Sequence, residues 1–538
     1  MLGYDIVWSN WIQVIVLLTI LSVSAKVGYN LFLHPLAKVP GPFWARATAI
    51  PSWYHASRGR RHVWLWQLFQ IYGSTVRPAP NLVVFCDPQA DKAIYGNKSN
   101  VQRSEFYAAL KRKDNENMPL NIVDRDQHAA RRKLLNQAFT EKSLRAASMF
   151  VIRHVDRFNE LILSEHGGEK DWTASIDLGK KFDGLVFDIL GDLCFGKSFG
   201  LQEPGDNPMK VIPHTIAEYM RFYYPLCRSP LLSLINWLKP RGLYEVLDYI
   251  APPLVHEYNK FVHDTTTCRI ALQKEQAQKS EEERRQDMFY FLYEAHVALP
   301  TYNENDLRAD SSLLIIAGSD TTAVTLSGLF FYLTGDARRC QKLADEILTT
   351  FESAEDIVYG PKLSGCTYLR ACIDEAMRLT PAVPCELQRE VLAGGIDIMG
   401  HFYPAGTIVG TVPWATGRNE DVYGDPSVFR PERWIADGET VTSEEVARQR
   451  ANFHPFLTGP GACAGKNVAL MEMMITAART LHRFELRRAP GSTLGGGNED
   501  LGWGGRDAKQ YQLEDAYIAL HQGPEVQFRK RQYSTMAR

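Results

Sequence analysis

Phe456-Leu457-Thr458-Gly459-Pro460-Gly461-Ala462-Cys463-Ala464-Gly465 is followed by a helix-forming run from Lys466 to Arg483. Glycines on both sides of a single cysteine let the backbone bend closely around its sulfur, so that amide hydrogens can point at a sulfur anion with no side chain in the way. A free cysteine titrates at about 8.5, and coordination to a metal together with the positive end of the following helix favours the thiolate. A cysteine among glycines is as often a small residue filling a tight loop, so this stretch alone leaves a structural and a functional role equally open.

Upstream, the apolar helical run Leu307 to Leu333 is interrupted by Ala317-Gly318-Ser319-Asp320-Thr321-Thr322. A glycine and four polar residues in a buried helix cost propensity and desolvation energy unless the helix is distorted there and its polar groups meet water or a ligand. Hydroxyls at 319, 321 and 322 can bond back to carbonyls one turn earlier. Asp320 has no such explanation. Glu375-Ala376-Met377-Arg378 sets an acid and a base one turn apart on a helix face, which alone is worth only about 0–1 kcal/mol. His128 and Arg132, in His128-Ala129-Ala130-Arg131-Arg132-Lys133, also share a helix face, and a basic stripe of this kind is ordinarily solvated.

Taken with the helix after it, F-x-x-G-x-x-x-C-x-G resembles the haem-binding loop of the cytochromes P450, whose iron is held by a cysteine thiolate. The resemblance implies that Cys463 ligates the iron of a haem (iron protoporphyrin IX) and that Phe456, Gly459 and Gly465 belong to the same cofactor-binding loop. It departs at Gly461, where the family often carries a basic residue that pairs with a haem propionate. The 317–322 run is similar to the family's oxygen-binding helix. By that likeness Gly318 opens room for dioxygen, Thr321 donates a hydrogen bond, and Asp320 belongs to the proton relay. Glu375 and Arg378, with Arg433 in Phe429-Arg430-Pro431-Glu432-Arg433-Trp434, resemble the family's structural triad. His128 and Arg132 fall where the family presents groups to a propionate, with Arg132 preferred because guanidinium binds carboxylate bidentately. Arg389, in Leu387-Gln388-Arg389-Glu390, matches a second propionate arginine and partly makes good the loss at Gly461.

The chain has 538 residues, 45% of them hydrophobic and 23% charged, enough for a large core. Its formal net charge of −2 gives no global reason to expect a nucleic-acid partner. Nine scattered cysteines without close pairs fit a reducing compartment. Ile6 to Ala25 is uncharged and about long enough to cross a bilayer core of roughly 30 Å, and Lys26, Lys38 and Arg46 follow it, which keeps the rest of the chain cytosolic. The expected organisation is a transmembrane anchor over 1–30, a Pro/Gly-rich hinge over 31–50 and a catalytic body over 51–538. A small antiparallel sheet is expected over Leu65 to Asp87, helices over 125–380 including a buried one at Phe187 to Phe195, and a solvated charge run at Lys274 to Asp287. After Pro381 loops, short strands and one further helix are expected, closing on a strand pair over Tyr517 to Phe528. The fold class is therefore mainly α with small β-sheets, P450-like, behind an N-terminal transmembrane helix.

The resemblance spans nearly the whole chain and is strongest to fungal secondary-metabolite members of the microsomal class. It implies a monooxygenase that inserts one oxygen atom from O2 into an apolar small molecule such as a polyketide, terpenoid or alkaloid. It implies residence in the endoplasmic reticulum membrane as a single-pass protein, with NADPH-cytochrome P450 reductase as electron donor and cytochrome b5 as a second one. Arg131, Lys133 and Lys466 would offer a basic docking surface for that donor. Substrate choice is expected in Val101 to Asn121, Met220 to Leu238, Leu313 to Ala317 and Ala382 to Leu387, with Glu386 as the acid placed to read a substrate group and Phe222, Tyr223, Tyr224 and Trp237 near an entrance. Two rival readings are a haem-thiolate isomerase or dehydratase working without O2, and a haem-binding membrane protein without catalysis. Neither needs Asp320 and Thr321.

Overall fold

Three long helices with apolar residues on most of their faces make the centre of the molecule, because a helix that is hydrophobic all round is stable only when enclosed by others. They are Leu178–Phe195, Glu304–Gly335 and Lys466–Arg483. The structure, a computed structural model, describes residues 2–111, 117–167, 170–280, 283–299 and 302–532. Parts of two expected segments, 112–116 of the first substrate segment and 281–282 of the charge run, lie outside the described residues.

The Glu304–Gly335 helix starts at a capping box: Asn303 Oδ1 accepts from the Asp306 N–H at 3.0 Å, and Asp306 Oδ2 accepts from the Asn303 N–H at 3.2 Å. It lies along the Leu178–Phe195 helix, with Phe182 and Phe330 in ring contact at 5.2 Å. A Cβ at Gly318 would stand 2.9 Å from Leu190 Cδ1. Close helix approach is therefore one requirement for a glycine here. Thr367–Leu379 packs on the same central helix, and Glu141–His166 and Lys466–Arg483 pack together behind it.

The strands, in chain order, are β1 Thr75–Ala79, β2 Leu82–Phe85, β3 Val101–Arg103, β4 Ile176–Asp177, β5 Arg389–Val391, β6 Ile396–Ile398, β7 His401–Tyr403, β8 Ile408–Thr411, β9 Phe484–Arg488, β10 Glu514–Ala516, β11 Ile518–Leu520 and β12 Glu525–Lys530. The largest sheet has the order β1-β2-β8-β5-β3, antiparallel except for the β2/β8 pair. The first expected sheet begins later than the sequence suggests, because Arg61–Tyr72 is a helix that runs unbroken until Gly73 at φ +89°. The closing strand pair is also different: β11 pairs with β10, while β12 lies between β4 and β9. Beyond Pro381 the Lys466–Arg483 helix is joined by a capped helix at Ser443–Ala451 and several single-turn helices.

At the N-terminus a helix spans Leu2–Gly28, and the apolar stretch Gln13–Leu33 is long enough to cross a membrane. Trp11, Ile15, Leu18 and Leu21 are exposed, while Asn30 and Leu31 near the end of the stretch are buried against the body. The elbow after it is held against the body, since the Arg77 N–H donates to Pro40 O at 2.8 Å and Gly41 sits directly on the Arg77 backbone.

Candidate active site

The cysteine loop is shaped by two backbone requirements. Gly459 adopts φ +64°, and a Cβ there would collide with the Tyr95 carbonyl oxygen. The Cys463 N–H donates to Phe456 O at 2.8 Å, which draws the loop into a tight ring beneath its sulfur. The N–H groups of Gly465 and Lys466, at the start of the Lys466–Arg483 helix, lie against the Cys463 sulfur and favour its anion. Burial raises the thiol above its ordinary range, and those two amides with the Arg132 and Lys466 charges pull it back toward the thiolate.

Cys463 lies deep in the fold yet presents accessible surface, so it faces an internal space. Seven of the other eight cysteines are buried, and Cys268 is exposed. Cys385, for example, packs its thiol 3.0 Å from Asp515 Oδ2, outside the glycine loop. On the central helix Ala317 is exposed although Ile315 and Ser319 beside it are fully enclosed, and Thr321, one turn on, shares its face.

Around this space gather cations that no carboxylate pairs with among the described residues: Arg103, Arg132 and Arg389. Arg103 and Arg389 stand directly opposite each other in the β3/β5 register. Like charges so placed repel, and an anion between them would relieve the repulsion. His128 lies beside all three; burial and their charges depress its imidazole to about 4, and its Nε2 has no partner among the described residues. Arg389 Nη1 donates to Gln388 O at 2.9 Å and its guanidinium lies over the Tyr95 ring. Its Nη2 is 2.7 Å from where a Gly461 Cβ would stand, so the guanidinium of Arg389 fills the side-chain space at 461. Arg103 is a residue that sequence reasoning missed, because a three-residue strand carries too little alternation to show its register.

The polar interruption of the central helix divides in two. The Thr321 hydroxyl donates to Ala317 O at 2.8 Å, the one-turn back-bond that the sequence allows. Asp320 instead keeps Oδ2 buried without a partner among the described residues. Burial, assisted by the Asp183 charge, pushes its carboxyl up to about 8, so it carries a proton at neutral pH.

The acid-base triad is assembled away from this space, with every member buried. Glu375 Oε1 receives Arg378 Nη2 at 2.7 Å, Arg433 Nε at 3.0 Å and the Arg430 N–H at 2.8 Å, while Oε2 receives Arg378 Nε at 2.9 Å and Trp434 Nε1 at 3.0 Å. Arg378 and Arg433 spend their other donors on Gly417 O, Pro426 O and Tyr423 O, tying the Thr367–Leu379 helix to the 417–434 loop.

Two expectations fail. Glu386 cannot read a substrate, because it is fully buried between Arg61 (2.5 and 3.0 Å) and Arg228 (2.5 Å), residues far away in sequence. Arg131 is no part of a basic docking surface, since it turns inward to Asp306 at 3.3 Å and Asp310 at 3.2 Å; Lys133 and Lys466 are exposed. Of the entrance aromatics, Tyr223 and Tyr224 are buried and bonded to Ala109 O and Asp515, while Phe222 and Trp237 are exposed.

One soft sulfur donor that faces an internal space and guanidiniums that no carboxylate pairs with among the described residues together fit an iron porphyrin with two carboxylate arms. Among the described residues no three His, Cys, Asp or Glu side chains converge as a metal site of their own.

Comparison with known proteins gives the same direction. The family description Cytochrome P450 matches residues 40–495. The chain is 34% identical to cytochrome P450 monooxygenase fscF of Fusarium equiseti, over 97% of each chain. It is 31% identical to cytochrome P450 monooxygenase poxM of Penicillium oxalicum, over 93% of this chain and 91% of that one. With cytochrome P450 monooxygenase apf7 of Gibberella fujikuroi it shares 31% identity over 97% and 98%.

Proposed function

The chain belongs to the cytochrome P450 family and is a haem-dependent monooxygenase, and on that premise we propose that Cys463 is the iron ligand and that the substrate is an apolar fungal secondary metabolite: a polyketide, terpenoid or alkaloid. The observation that carries the assignment is the deep cysteine that faces an internal space with two amides on its sulfur.

The haem, when bound, supplies the binding and cleavage of dioxygen and the transfer of one oxygen atom to substrate. The protein's own groups do the rest. Cys463 lends sulfur electron density, moderated by the Gly465 and Lys466 N–H groups. Arg103, Arg132, Arg389 and His128 would hold the carboxylate arms of the group, with Arg389 standing in for a base at 461. The Ala317 face of the central helix keeps the chamber apolar. Thr321 Oγ1 presents an oxygen held by its bond to Ala317, and Asp320, protonated at neutral pH, holds a proton at its carboxyl one residue away. The isomerase and the non-catalytic readings leave Asp320 without a use.

Electrons come from a redox partner, which we assign as NADPH-cytochrome P450 reductase with cytochrome b5 as a second donor. The body 51–538 is the catalytic domain, hung from the 1–30 anchor by the 31–50 hinge. The endoplasmic reticulum surface is its place, a reading supported by a second exposed apolar set: Leu231, Leu234, Trp237, Val246, Tyr249 and Ile250 follow the Ile212–Cys227 helix, which packs on Ile50–Ser57 beside the anchor elbow.

Substrate class is tested by a binding screen over polyketide, terpenoid and indole-alkaloid libraries, read from the haem absorption. Shifts confined to such apolar scaffolds support the assignment, and a set of hits dominated by polar or charged compounds contradicts it. For Thr321→Ala, peroxide released per NADPH should rise several-fold at unchanged haem content; unchanged coupling contradicts a role in proton delivery. For Arg389→Leu, loss of charge-assisted bonds worth about 1.5–3 kcal/mol should weaken haem retention about tenfold to a hundredfold, measured by transfer to apomyoglobin.

A further inference from the structure

A buried arginine N–H costs free energy unless it meets an acceptor, and Arg228, at the end of the Ile212–Cys227 helix, has two nitrogens unspent. Its side chain is 4% exposed, and Nε and Nη2 have no partner among the described residues. Nη1 donates to Glu386 Oε1 at 2.5 Å. That carboxylate is shared, because Arg61 donates to Oε2 at 2.5 Å and Oε1 at 3.0 Å, and Gln388 Nε2 donates to Oε1 at 3.1 Å. Arg61 itself is complete, since its Nε reaches Ser52 Oγ at 2.8 Å. We propose that Arg228 is a specificity residue that binds a carboxylate of the substrate. The proposal rests on the substrate class given above and deepens it, by ending the apolar scaffold in one acid group.

The shape of the free edge selects the ligand. Nε and Nη2 make a side-on fork, and elsewhere in this protein that edge holds both oxygens of a carboxylate. Arg378 holds Glu375 in this way at 2.9 and 2.7 Å, Arg479 holds Asp156 with both bonds at 2.8 Å, and Arg221 holds Glu514 with both at 2.7 Å. Other arginines with a buried unpartnered nitrogen leave Nε alone, which makes no fork. Charge points the same way, because two guanidiniums share Glu386. The next acid, Asp515, instead accepts from the Tyr224 hydroxyl at 3.0 Å, the Cys385 thiol at 3.0 Å and the Tyr517 N–H at 3.2 Å. The Phe106 and Tyr224 ring centroids lie 4.5 and 5.3 Å from the Arg228 guanidinium, and their faces ease its charge without supplying a lone pair.

Three of the four segments in which substrate choice is expected meet at this group: Phe106 from the first, Tyr224 and Arg228 from the second, Glu386 from the last. Direct contacts continue to the cysteine loop. Phe106 stands against Tyr107 and Tyr517, with ring centroids 5.4 and 5.3 Å apart, and Tyr107 Oη accepts from Arg389 Nη1 at 3.4 Å. Arg389 in turn fills the side-chain space at 461. Arg228 is thus the far end of an aromatic wall that begins at the cysteine loop, and it holds one end of an extended molecule whose other end lies on the Cys463 side.

The probes are the linear acids from decanoate to hexadecanoate and their methyl esters, flexible enough to fit an apolar chamber of any outline. They are titrated into holoenzyme and read from the haem absorption. At neutral pH the best acid should bind about tenfold to a hundredfold tighter than its ester. Arg228→Met should bring the acid down to the ester and leave the ester within about twofold of wild type, while Arg228→Lys, a point charge without the fork, should fall between. Products of the best acid should be oxidised at a narrow set of carbons in wild type and at a wider set in Arg228→Met. If Arg228 merely braces Glu386, its methionine variant weakens acid and ester together, and that result overturns the proposal. A normal carbon monoxide complex with equal affinities for acid and ester, or with no response to any acid, overturns the carboxylate site alone, and needs only the wild type. A wild type that forms no thiolate-type carbon monoxide complex overturns the monooxygenase reading and this site with it.

Discussion

Cys463→Ser should fold and should lose its haem-thiolate signature and its turnover. Serine fits where cysteine sits, the Cys463 N–H bond to Phe456 O involves backbone alone, and the loop's shape is set by Gly459 and its neighbours. Melting and far-ultraviolet dichroism of the haem-free protein should therefore match wild type. The hydroxyl, in contrast, stays protonated at neutral pH and is a hard donor, so the Gly465 and Lys466 amides have no anion to stabilise. Disturbing groups that merely support a metal ligand costs about 10–100-fold, and removal of the ligand itself should exceed that in both haem content and activity. Retained pigment and product would contradict the assignment.

Glu375→Gln should fail in a different way, by losing the fold. Two buried arginines, one indole N–H and one backbone N–H converge on this carboxylate. The amide keeps the size but removes the charge, leaving Arg378 and Arg433 enclosed without compensation. Breaking such a buried set costs about 3–5 kcal/mol, a large part of a total of about 5–15 kcal/mol. Soluble yield should collapse, and urea melts of what remains should shift accordingly. Glu472→Gln is the control: burial holds that carboxyl near 8, hence already neutral, and its amide should cost about 1 kcal/mol or less.

The same groups fix the acid limb of stability. Burial works against ionisation of Glu375 and Glu386, but Arg378 and Arg433 at the first and Arg228 and Arg61 at the second draw both below the ordinary carboxylate range, Glu386 to about 2. A carboxylate depressed in the fold stabilises it above the unfolded pKa, and that contribution drains away as pH falls from there through the folded value.

Much of this was legible in the residues. The mainly helical fold with small sheets follows from helical periodicity over the enclosed runs, and the buried segment Phe187 to Phe195 could only be an interior helix. The loop about Cys463 was legible because a glycine requirement is local: Gly459 leaves a mark at a fixed spacing. Contacts made at long range left no mark. The pairing of Glu386 with Arg61 spans most of the chain, which is why the acid looked free to meet a substrate. The approach of Leu190 from another helix to Gly318 is likewise visible only in the fold. Arg103 acquires meaning only when β3 is laid against Arg389.

The measurement that bears most directly on the central claim is the absorption spectrum of the reduced wild-type protein under carbon monoxide. A sulfur anion at position 463 bonded to haem iron predicts a band at about 450 nm that disappears in Cys463→Ser. A protein that stays colourless when haem is supplied, or a band that the serine variant keeps, would contradict it.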